Sequence, residues 1–169
     1  SFRPLQNPAV PKIQDEMWPR DDLDRFVLAK LEEHSLHPAS DTDSYSWLRR
    51  VSLDLTGLPP TPEQITAFIN DKSPEASARA VDRLVASRAF GERWGRFWLD
   101  LVGYADQIGT ANDIFAEHAW RYRDYVIAAF NSDKPFDRFI REQLAGDLLP
   151  SESTEQRAEQ LVASGFLLV

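Results

Sequence analysis

The sequence contains no cysteine and only three histidines, at positions 34, 37 and 118. The missing cysteine excludes disulfides, thiol catalysis, thiolate zinc sites and covalent haem attachment among these 169 residues. No apolar run approaches the roughly 20 residues that a membrane-spanning helix needs, so we expect no membrane span. Gly-rich phosphate loops, nucleophile elbows and paired-histidine metalloprotease motifs are also missing. The residues most used in metal and nucleophilic catalysis are therefore scarce.

Basic residues are outnumbered as well. The chain has 19 lysines and arginines against 27 aspartates and glutamates, which gives a formal net charge of -8. Because nucleic-acid affinity depends largely on cations that contact phosphates, this balance disfavours a dedicated nucleic-acid binder. The remaining composition, 43% hydrophobic and 27% charged, is typical of a globular domain rather than a disordered chain.

The sequence does contain a repeated helical pattern. Apolar residues recur every three or four positions in seven or eight segments, most of which begin at a capping residue or a proline. Gly57 is placed to end the second segment in a left-handed conformation. The segments begin at Asp21 or Asp22, at Thr42 and Asp43, at Pro62, after Ser73 and Pro74, near Phe90, after a loop over 106–117, at Pro135 and at Thr154. The pattern predicts an all-α fold, a single domain of about seven or eight helices, and only the short stretch Leu53–Leu58 is ambiguous between helix and strand.

The two ends of the chain differ from this pattern. Residues 1–19 hold prolines at positions 4, 8, 11 and 19 and lack apolar periodicity, so we expect an extended Pro-rich linker or arm. Residues 20–169 are predicted to form the helical domain. Because residues 165–169 are apolar rather than a polar tail, we expect this domain to be excised from a longer multidomain chain.

The loop between two aromatic-rich segments, residues 104–120, is the most informative stretch. Its oxygen-bearing side chains suit a hard cation such as calcium, or acid–base chemistry on glycosides. The spacing matches no EF-hand, however, and the same residue types form turns and helix caps, so metal binding stays open. His118 is a candidate metal ligand or general base without evident partners. The candidate ligand-binding residues of this stretch are Tyr104, Asp106, Asn112, Asp113 and Trp120.

Aromatic residues and arginines continue directly after the loop. Exposed rings stack on sugars, and arginine binds carboxylate or sulfate through two parallel hydrogen bonds, a combination that suits an acidic polysaccharide. Tyr122 and Arg123 are candidates for an exposed site, and Asp124 follows them. Trp94 and Trp98 lie four residues apart on an apolar stripe and are predicted to pack in the core.

Several blocks of the sequence resemble one family. They keep their order over nearly the whole chain and are similar to the planctomycete cytochrome-associated domain of the second type, also known as domain of unknown function 1549. The blocks are Ser1–Leu5, Pro8–Pro11, Trp18–Arg20, Leu23–Phe26, Ser52–Thr61, Gly91–Trp94, Trp98–Asp100, Tyr104–Asp106, Trp120–Asp124, Phe130–Asn131 and Gln143–Asp147.

The resemblance implies no settled activity, but it does imply the kind of protein in which this domain occurs. Members are parts of large exported bacterial proteins, often with a cytochrome c-like domain before them and another uncharacterised domain after them. Neighbouring domains of the same chain are therefore the expected partners, and the expected location is periplasmic or extracellular. The family pattern continues into a Cys-x-x-Cys-His segment that this chain lacks, so no cofactor is expected here and haem c belongs to neighbouring segments. Gln107 and Ala111 depart from the pattern, which weakens the calcium and acid–base interpretations.

Three functions remain open at this point. The first is a non-catalytic binding or interaction module, with carbohydrate as its ligand, which the aromatic and arginine content favours. The second is part of a polysaccharide-active enzyme, hydrolytic or haem-linked oxidative, which needs Asp100, Asp106, Asp113 and Asp124 to converge. The third is a purely structural spacer. No catalytic residue follows from the sequence alone, and whether the chain is an enzyme stays open.

Overall fold

A computed structural model of the chain describes Pro4, residues 6–108 and residues 114–167. Eight α-helices dominate these residues, and the all-α fold predicted from the sequence is confirmed. The helices are α1 (Asp22–Glu33), α2 (Ser44–Thr56), α3 (Pro62–Asn70), α4 (Ala76–Val85), α5 (Arg88–Leu101), α6 (Ala119–Asn131), α7 (Phe136–Ala145) and α8 (Thr154–Ala163). A 3-10 helix, Ser164–Leu167, follows α8. Within these residues, no helix has the length and apolar character required to cross a membrane.

The chain divides into two compact units, Ser1–Thr42 and Asp43–Val169. In the first unit, residues 6–21 form neither helix nor strand. The backbone N–H of Gln14 donates to the carboxylate of Glu32 in α1 at 2.9 Å, which ties the proline-rich segment to that helix. α1 therefore lies in the same unit as the proline-rich segment.

The helices of the second unit begin and end at the signals in the sequence. The Asp43 side chain caps α2, and Gly57 ends that helix at φ +71°, the left-handed conformation that favours glycine. The side chain of Thr61 and that of Gln64 cap each other's backbone N–H at the start of α3. The predicted stop at Gly57 and the predicted start at Pro62 are both confirmed.

A short strand pair interrupts the loop between α5 and α6. β1 (Gln107–Ile108) and β2 (Ile114–Phe115) are antiparallel, with Gln107 opposite Phe115. The backbone N–H of Ala116 donates to the carbonyl of Asp106 at 2.8 Å and extends the pairing. This pair leaves the all-α fold unchanged, and the sequence does not reveal it because two residues per strand are too few to show alternating hydrophobicity.

The core of the second unit lies where α5, α6, α7 and α8 meet. Its buried cluster consists of Tyr122, Tyr125, Val126, Ala129, Phe139 and Ala163. Most of these residues come from α6, where positions three and four apart share one helical face. Trp98 of α5 and Val102, the residue directly after α5, pack against the cluster.

Trp94 does not pack in the core as the sequence predicts. Its side chain is 37% exposed, whereas Trp98 packs against the core cluster as expected. The reason is that α5 contacts α6 through Gly91 and Gly95, whose missing side chains let the helices approach. The contact face is therefore rotated away from the stripe of large apolar residues that the periodicity identifies.

Candidate functional site

The close contact between α5 and α6 shapes the surface around the candidate residues. A Cβ atom at Gly91 would lie 2.5 Å from both the Asn131 side chain and the Ile127 carbonyl oxygen, so only glycine fits there. The Gly91 N–H donates to Asn131 Oδ1 at 2.8 Å. The Asn131 side-chain amide donates in turn to the Arg88 carbonyl at 3.3 Å. Asn131 thus bridges the end of α6 to the start of α5.

An open groove lies beside this contact, between the first turns of α5 and the length of α6. Its volume is about 630 Å³. We call it the α5–α6 groove, and its lining consists of Arg88, Glu92, Arg123, Asp124, Ile127, Ala128, Asn131 and Ser132. The lining presents two guanidinium groups, two carboxylates, an amide and a hydroxyl, so both donors and acceptors face a ligand.

Three of the predicted ligand-binding residues share one face of α6. Trp120 is followed by Arg123 and Asp124 three and four positions later, a spacing that places them side by side on a helix. The Trp120 side chain is 46% exposed, and the Arg121 guanidinium lies 5.5 Å from its ring centroid. The Arg123 Nε and Nη2 atoms donate to Asp124 Oδ1 at 3.0 and 2.9 Å. An aromatic ring thus stands one helical turn before a fixed ion pair of the α5–α6 groove.

Tyr104 and Asp106 form a second predicted pair close to this ion pair. The Tyr104 hydroxyl donates to Asp106 Oδ1 at 2.8 Å. Burial of the phenol and this hydrogen bond raise the pKa of Tyr104 to about 12, and the Asp106 and Asp124 charges act in the same direction while Arg123 opposes them. Tyr104 is therefore a neutral hydrogen-bond donor at physiological pH, with its proton directed to Asp106.

Tyr122 is buried, and the expectation that its ring is exposed is wrong. Its side chain is 2% exposed. The hydroxyl donates to Gln143 Oε1 at 2.6 Å, and Trp98 Nε1 lies 3.0 Å from both oxygen atoms. The cause is the helical period, because position 122 lies on the α6 face that also carries Tyr125 and Val126. Tyr122 acts as a core residue on which the Tyr104 ring stacks, at 6.3 Å between centroids.

The structure describes only some of the remaining candidate residues, and those it describes lie apart from the α5–α6 groove lining. Asn112 and Asp113 lie outside the described residues. Asp100 pairs with Arg96 on the surface of α5 at 3.7 Å. His118 directly precedes α6, and its side chain does not cap that helix. Among residues 6–108 and 114–167, no group of three or more histidine, aspartate or glutamate side chains is arranged to hold a metal ion.

The sequence analysis did not single out Arg88, Glu92 or Asn131 as groove residues. A signal for them is nevertheless present in the sequence. Gly91 and Gly95 are spaced one helical turn apart, which indicates a face of α5 that another helix approaches closely. Residues flanking such a face lie beside the partner helix, as Arg88 and Glu92 do here.

A buried ionic cluster in the core was also missed. Glu142 is fully buried and accepts hydrogen bonds from the Tyr125 hydroxyl at 2.9 Å, from Arg138 Nε at 2.7 Å and from Lys134 Nζ. Lys134 also donates to Glu159 at 2.9 Å. Burial by itself would raise the pKa of Glu142, but hydrogen bonds from Lys134, Arg138 and Tyr125 outweigh it and hold the pKa below its ordinary value. Because these partners satisfy the carboxylate, we interpret this Glu142 cluster as structural.

Comparisons with known proteins complete this description. No curated protein and no solved structure matches the chain. Residues 22–169 match the model of the PSCyt2 family, whose description is "Protein of unknown function (DUF1549)". That match covers most of the chain, and the chain belongs to the PSCyt2 family.

Proposed function

We propose that this chain is a non-catalytic binding module that holds a polysaccharide in the α5–α6 groove. The observation that carries the proposal is the alignment of Trp120 with Arg123 and Asp124 on one face of α6, where the last two line the groove. A sugar ring presents C–H groups on its faces and hydroxyl groups at its edge. An exposed indole offers a surface for the faces, and charged planar groups bond the hydroxyls.

The shape of the groove suits a polymer better than a small molecule. It is open rather than enclosed, and along α6 it extends from Arg123 to Ser132, with Arg88 beside the Ser132 end. Its polar side chains are also held in place before a ligand arrives. Arg123 is fixed by Asp124, and Asn131 by its bonds to Gly91 and Arg88. Such preorganisation reduces the entropy lost on binding.

The charge of the groove narrows the class of polysaccharide. Its lining carries as many carboxylates as guanidinium groups, and Arg123 is already paired with Asp124. An acidic polymer would meet Glu92 and Asp124 in addition to the arginines. We therefore expect an uncharged polysaccharide, in contrast to the acidic one that the arginine content of the sequence suggests.

The setting of the module is part of the proposal. We place it in a large exported bacterial protein, where neighbouring domains of the same chain are its partners. Any haem c belongs to those neighbouring segments, because this chain lacks cysteine. Support comes from the family resemblance, in which a cytochrome c-like domain often precedes this one.

Affinity electrophoresis tests the proposal. The chain is run through gels that contain a neutral polysaccharide such as xylan, mannan or β-glucan, and its retardation is compared with that in plain gel. Trp120→Ala and Arg123→Gln are each expected to reduce retardation about tenfold or more, equivalent to the loss of one good contact. Trp94→Ala is the matched control, because this tryptophan is also partly exposed (37%, against 46% for Trp120) and lies on the opposite side of α5 from Glu92. Absence of retardation by every polymer, or equal losses for Trp94→Ala and Trp120→Ala, contradicts the proposal.

A hydrolytic role is the second candidate, and one observation favours it. Glu92 and Asp124 both line the α5–α6 groove, and glycoside hydrolysis uses two carboxylates on either side of the scissile bond. This candidate predicts release of reducing ends from the bound polymer, with loss of turnover in both Glu92→Gln and Asp124→Asn. The binding-module proposal predicts retention of the polymer with no release of reducing ends.

A further inference from the structure

A second, smaller cleft lies in the unit Asp43–Val169 and shares no lining residue with the α5–α6 groove. Its volume is about 210 Å³, and it is formed by the end of α2, the start of α3, α4 and the start of α5. We call it the Ser52 cleft, after the residue of α2 that lines it. Leu58, Pro59 and Leu84 supply much of its wall, so the cleft is largely apolar.

Ser52 is the first indication that this cleft takes a ligand. The residue is 1% exposed, and its backbone carbonyl accepts a hydrogen bond from Thr56 Oγ1 at 2.7 Å. Its own hydroxyl oxygen is buried and has no hydrogen-bond partner among the residues that the structure describes. A buried hydroxyl without a partner is unfavourable, and native proteins rarely retain one without a use. The Ser52 hydroxyl is therefore available to a polar group in the cleft.

The uncapped N-terminus of α5 provides an independent second indication. Thr61 and Gln64 place the start of α3 at the cleft, and Ser87 and Ala89 place the start of α5 there. The Ser87 hydroxyl donates to the Leu84 carbonyl at 2.7 Å instead of capping α5. The N–H groups of Thr61 and Gln64 at the start of α3 are already bonded, and Pro62 has none, whereas α5 has no side-chain cap. Because the N-terminal end of a helix carries partial positive charge and free N–H groups, α5 favours an anion in the cleft.

The side-chain charges agree with this polarity. Arg83 lines the cleft and makes no ion pair within the described part of the chain. In the part of the chain that the structure describes, no carboxylate lines the cleft. Glu63, in the first turn of α3, is exposed and is not among the lining residues. Within the described residues, a ligand in the cleft therefore meets one guanidinium group and one uncapped helix N-terminus, with no acidic side chain in the wall.

We propose that the Ser52 cleft binds a small organic carboxylate with a short aliphatic chain. The carboxylate accepts hydrogen bonds from the Ser52 hydroxyl and pairs with Arg83, and the aliphatic chain lies against Leu58 and Leu84. The apolar wall favours such a ligand over inorganic phosphate or sulfate, which would leave that wall in contact with a strongly hydrated ion. This site is separate from the α5–α6 groove and does not depend on polysaccharide binding.

The test is a titration of the ¹⁵N-labelled chain with butyrate, followed by amide chemical shifts. Butyramide serves as the neutral control and inorganic phosphate as the anion without an apolar part. We expect saturable shifts around Ser52, Gln64 and Ala89, with a dissociation constant of about 1 mM for so small a ligand. Arg83→Gln is expected to weaken binding about tenfold. Arg50→Gln, which removes an exposed cation of α2 that does not line the cleft, should leave it unchanged.

The Ser52→Ala variant separates ligand binding from a structural role of the hydroxyl. Because the hydroxyl has no partner in the described residues, Ser52→Ala should not lower the melting temperature of the ligand-free chain. The same substitution should weaken butyrate binding several-fold. Equal binding of butyramide, binding of phosphate in preference to butyrate, or no saturable shift with any probe overturns the proposal. Undiminished butyrate binding by Arg83→Gln also overturns it, because the ligand would then bind elsewhere.

Discussion

The side chain of Asn131, the last residue of α6, accepts a hydrogen bond at 2.8 Å from the backbone N–H of Gly91 in α5. This bond exists only because residue 91 lacks a side chain, since a Cβ atom there would lie 2.5 Å from Asn131 itself. The contact fixes how α5 and α6 lie against each other. It thereby sets the two walls of the α5–α6 groove, from which Arg88 and Glu92 face the residues of α6.

Replacement of Gly91 by alanine tests this relationship. The added methyl group would displace Asn131 or the Ile127 carbonyl, and overpacking of this kind costs about 1–3 kcal/mol. We expect the free energy of unfolding in urea to fall by that amount. Gly165→Ala is the control, because a Cβ atom there meets only ordinary contacts with Tyr122 at 3.5 Å and beyond. Equal stability of Gly91→Ala and the parent chain would show that the two helices are not held this closely.

The Glu142 cluster predicts a specific pH dependence of stability. The pKa of Glu142 in the folded chain lies below the ordinary carboxyl value of 4.5, so its contribution is fully present above that pH and is lost as the pH falls through the folded-state pKa. Glu142→Gln leaves the buried Lys134 with only the partly exposed Glu159 as its charge partner and should cost about 3 kcal/mol at pH 7.

Urea unfolding at pH 7 and at pH 3 measures both effects. The difference in stability between the two pH values should be smaller in Glu142→Gln than in the parent chain, because the variant has no carboxyl group to protonate at this position. Asp137→Asn, which breaks an exposed pair with Arg141, is the control and should change little. A Glu142→Gln variant as stable as the parent at pH 7 would contradict the structural role of the cluster.

The sequence predicted the helices well and their contact faces less well. The turn at Gly57 and the start at Pro62 follow from local chemistry that a few adjacent residues supply. Which face of α5 meets α6 depends instead on tertiary packing through Gly91 and Gly95. A search for the spacing of large apolar residues does not include glycine, so it does not identify this face. That is why Trp94 was predicted to be buried and is not.

The candidate site was predicted in part for the same reason. Trp120, Arg123 and Asp124 lie on one α6 face, as their spacing in the sequence implies. Tyr122 lies between them in the sequence but points to the core, because successive residues of a helix face different directions. The α5 wall of the groove, with Glu92, comes from a distant segment: Gly91 and Gly95 indicate that some helix approaches α5 closely, but no local pattern identifies α6 as that helix.

Tyr122→Phe is expected to reduce stability without affecting a surface ligand. The variant loses the hydroxyl that donates to Gln143 and accepts from Trp98, and the loss of such a buried hydrogen bond costs about 1–2 kcal/mol. Chemical denaturation measures the loss. Tyr45→Phe is the control, because that side chain is 47% exposed and its change should be negligible. If the folded Tyr122→Phe variant bound polysaccharide more weakly, the Tyr122 hydroxyl would have to be accessible to the ligand, which contradicts its burial.

Tyr104 should ionise only under strongly alkaline conditions. Burial and the hydrogen bond to Asp106 raise the pKa of Tyr104 to about 12. Ultraviolet absorbance of tyrosinate, measured against pH in the parent chain and in Tyr104→Phe, isolates the titration of this residue. Asp106→Asn removes the negative charge beside the hydroxyl and should lower the pKa of Tyr104. An unchanged titration curve in Asp106→Asn would place the two side chains apart in solution.

The most direct measurement of the central claim is an amide chemical-shift titration of the ¹⁵N-labelled chain with a neutral oligosaccharide of the polymer that retards it in the gel. The account predicts saturable shifts confined to the start of α5, around Arg88 and Glu92, and to α6 from Trp120 to Asn131. The same titration of Arg123→Gln should show those shifts only at much higher ligand concentration. Saturable shifts that leave both α5 and α6 unchanged, or no shifts with any neutral oligosaccharide, would contradict the account.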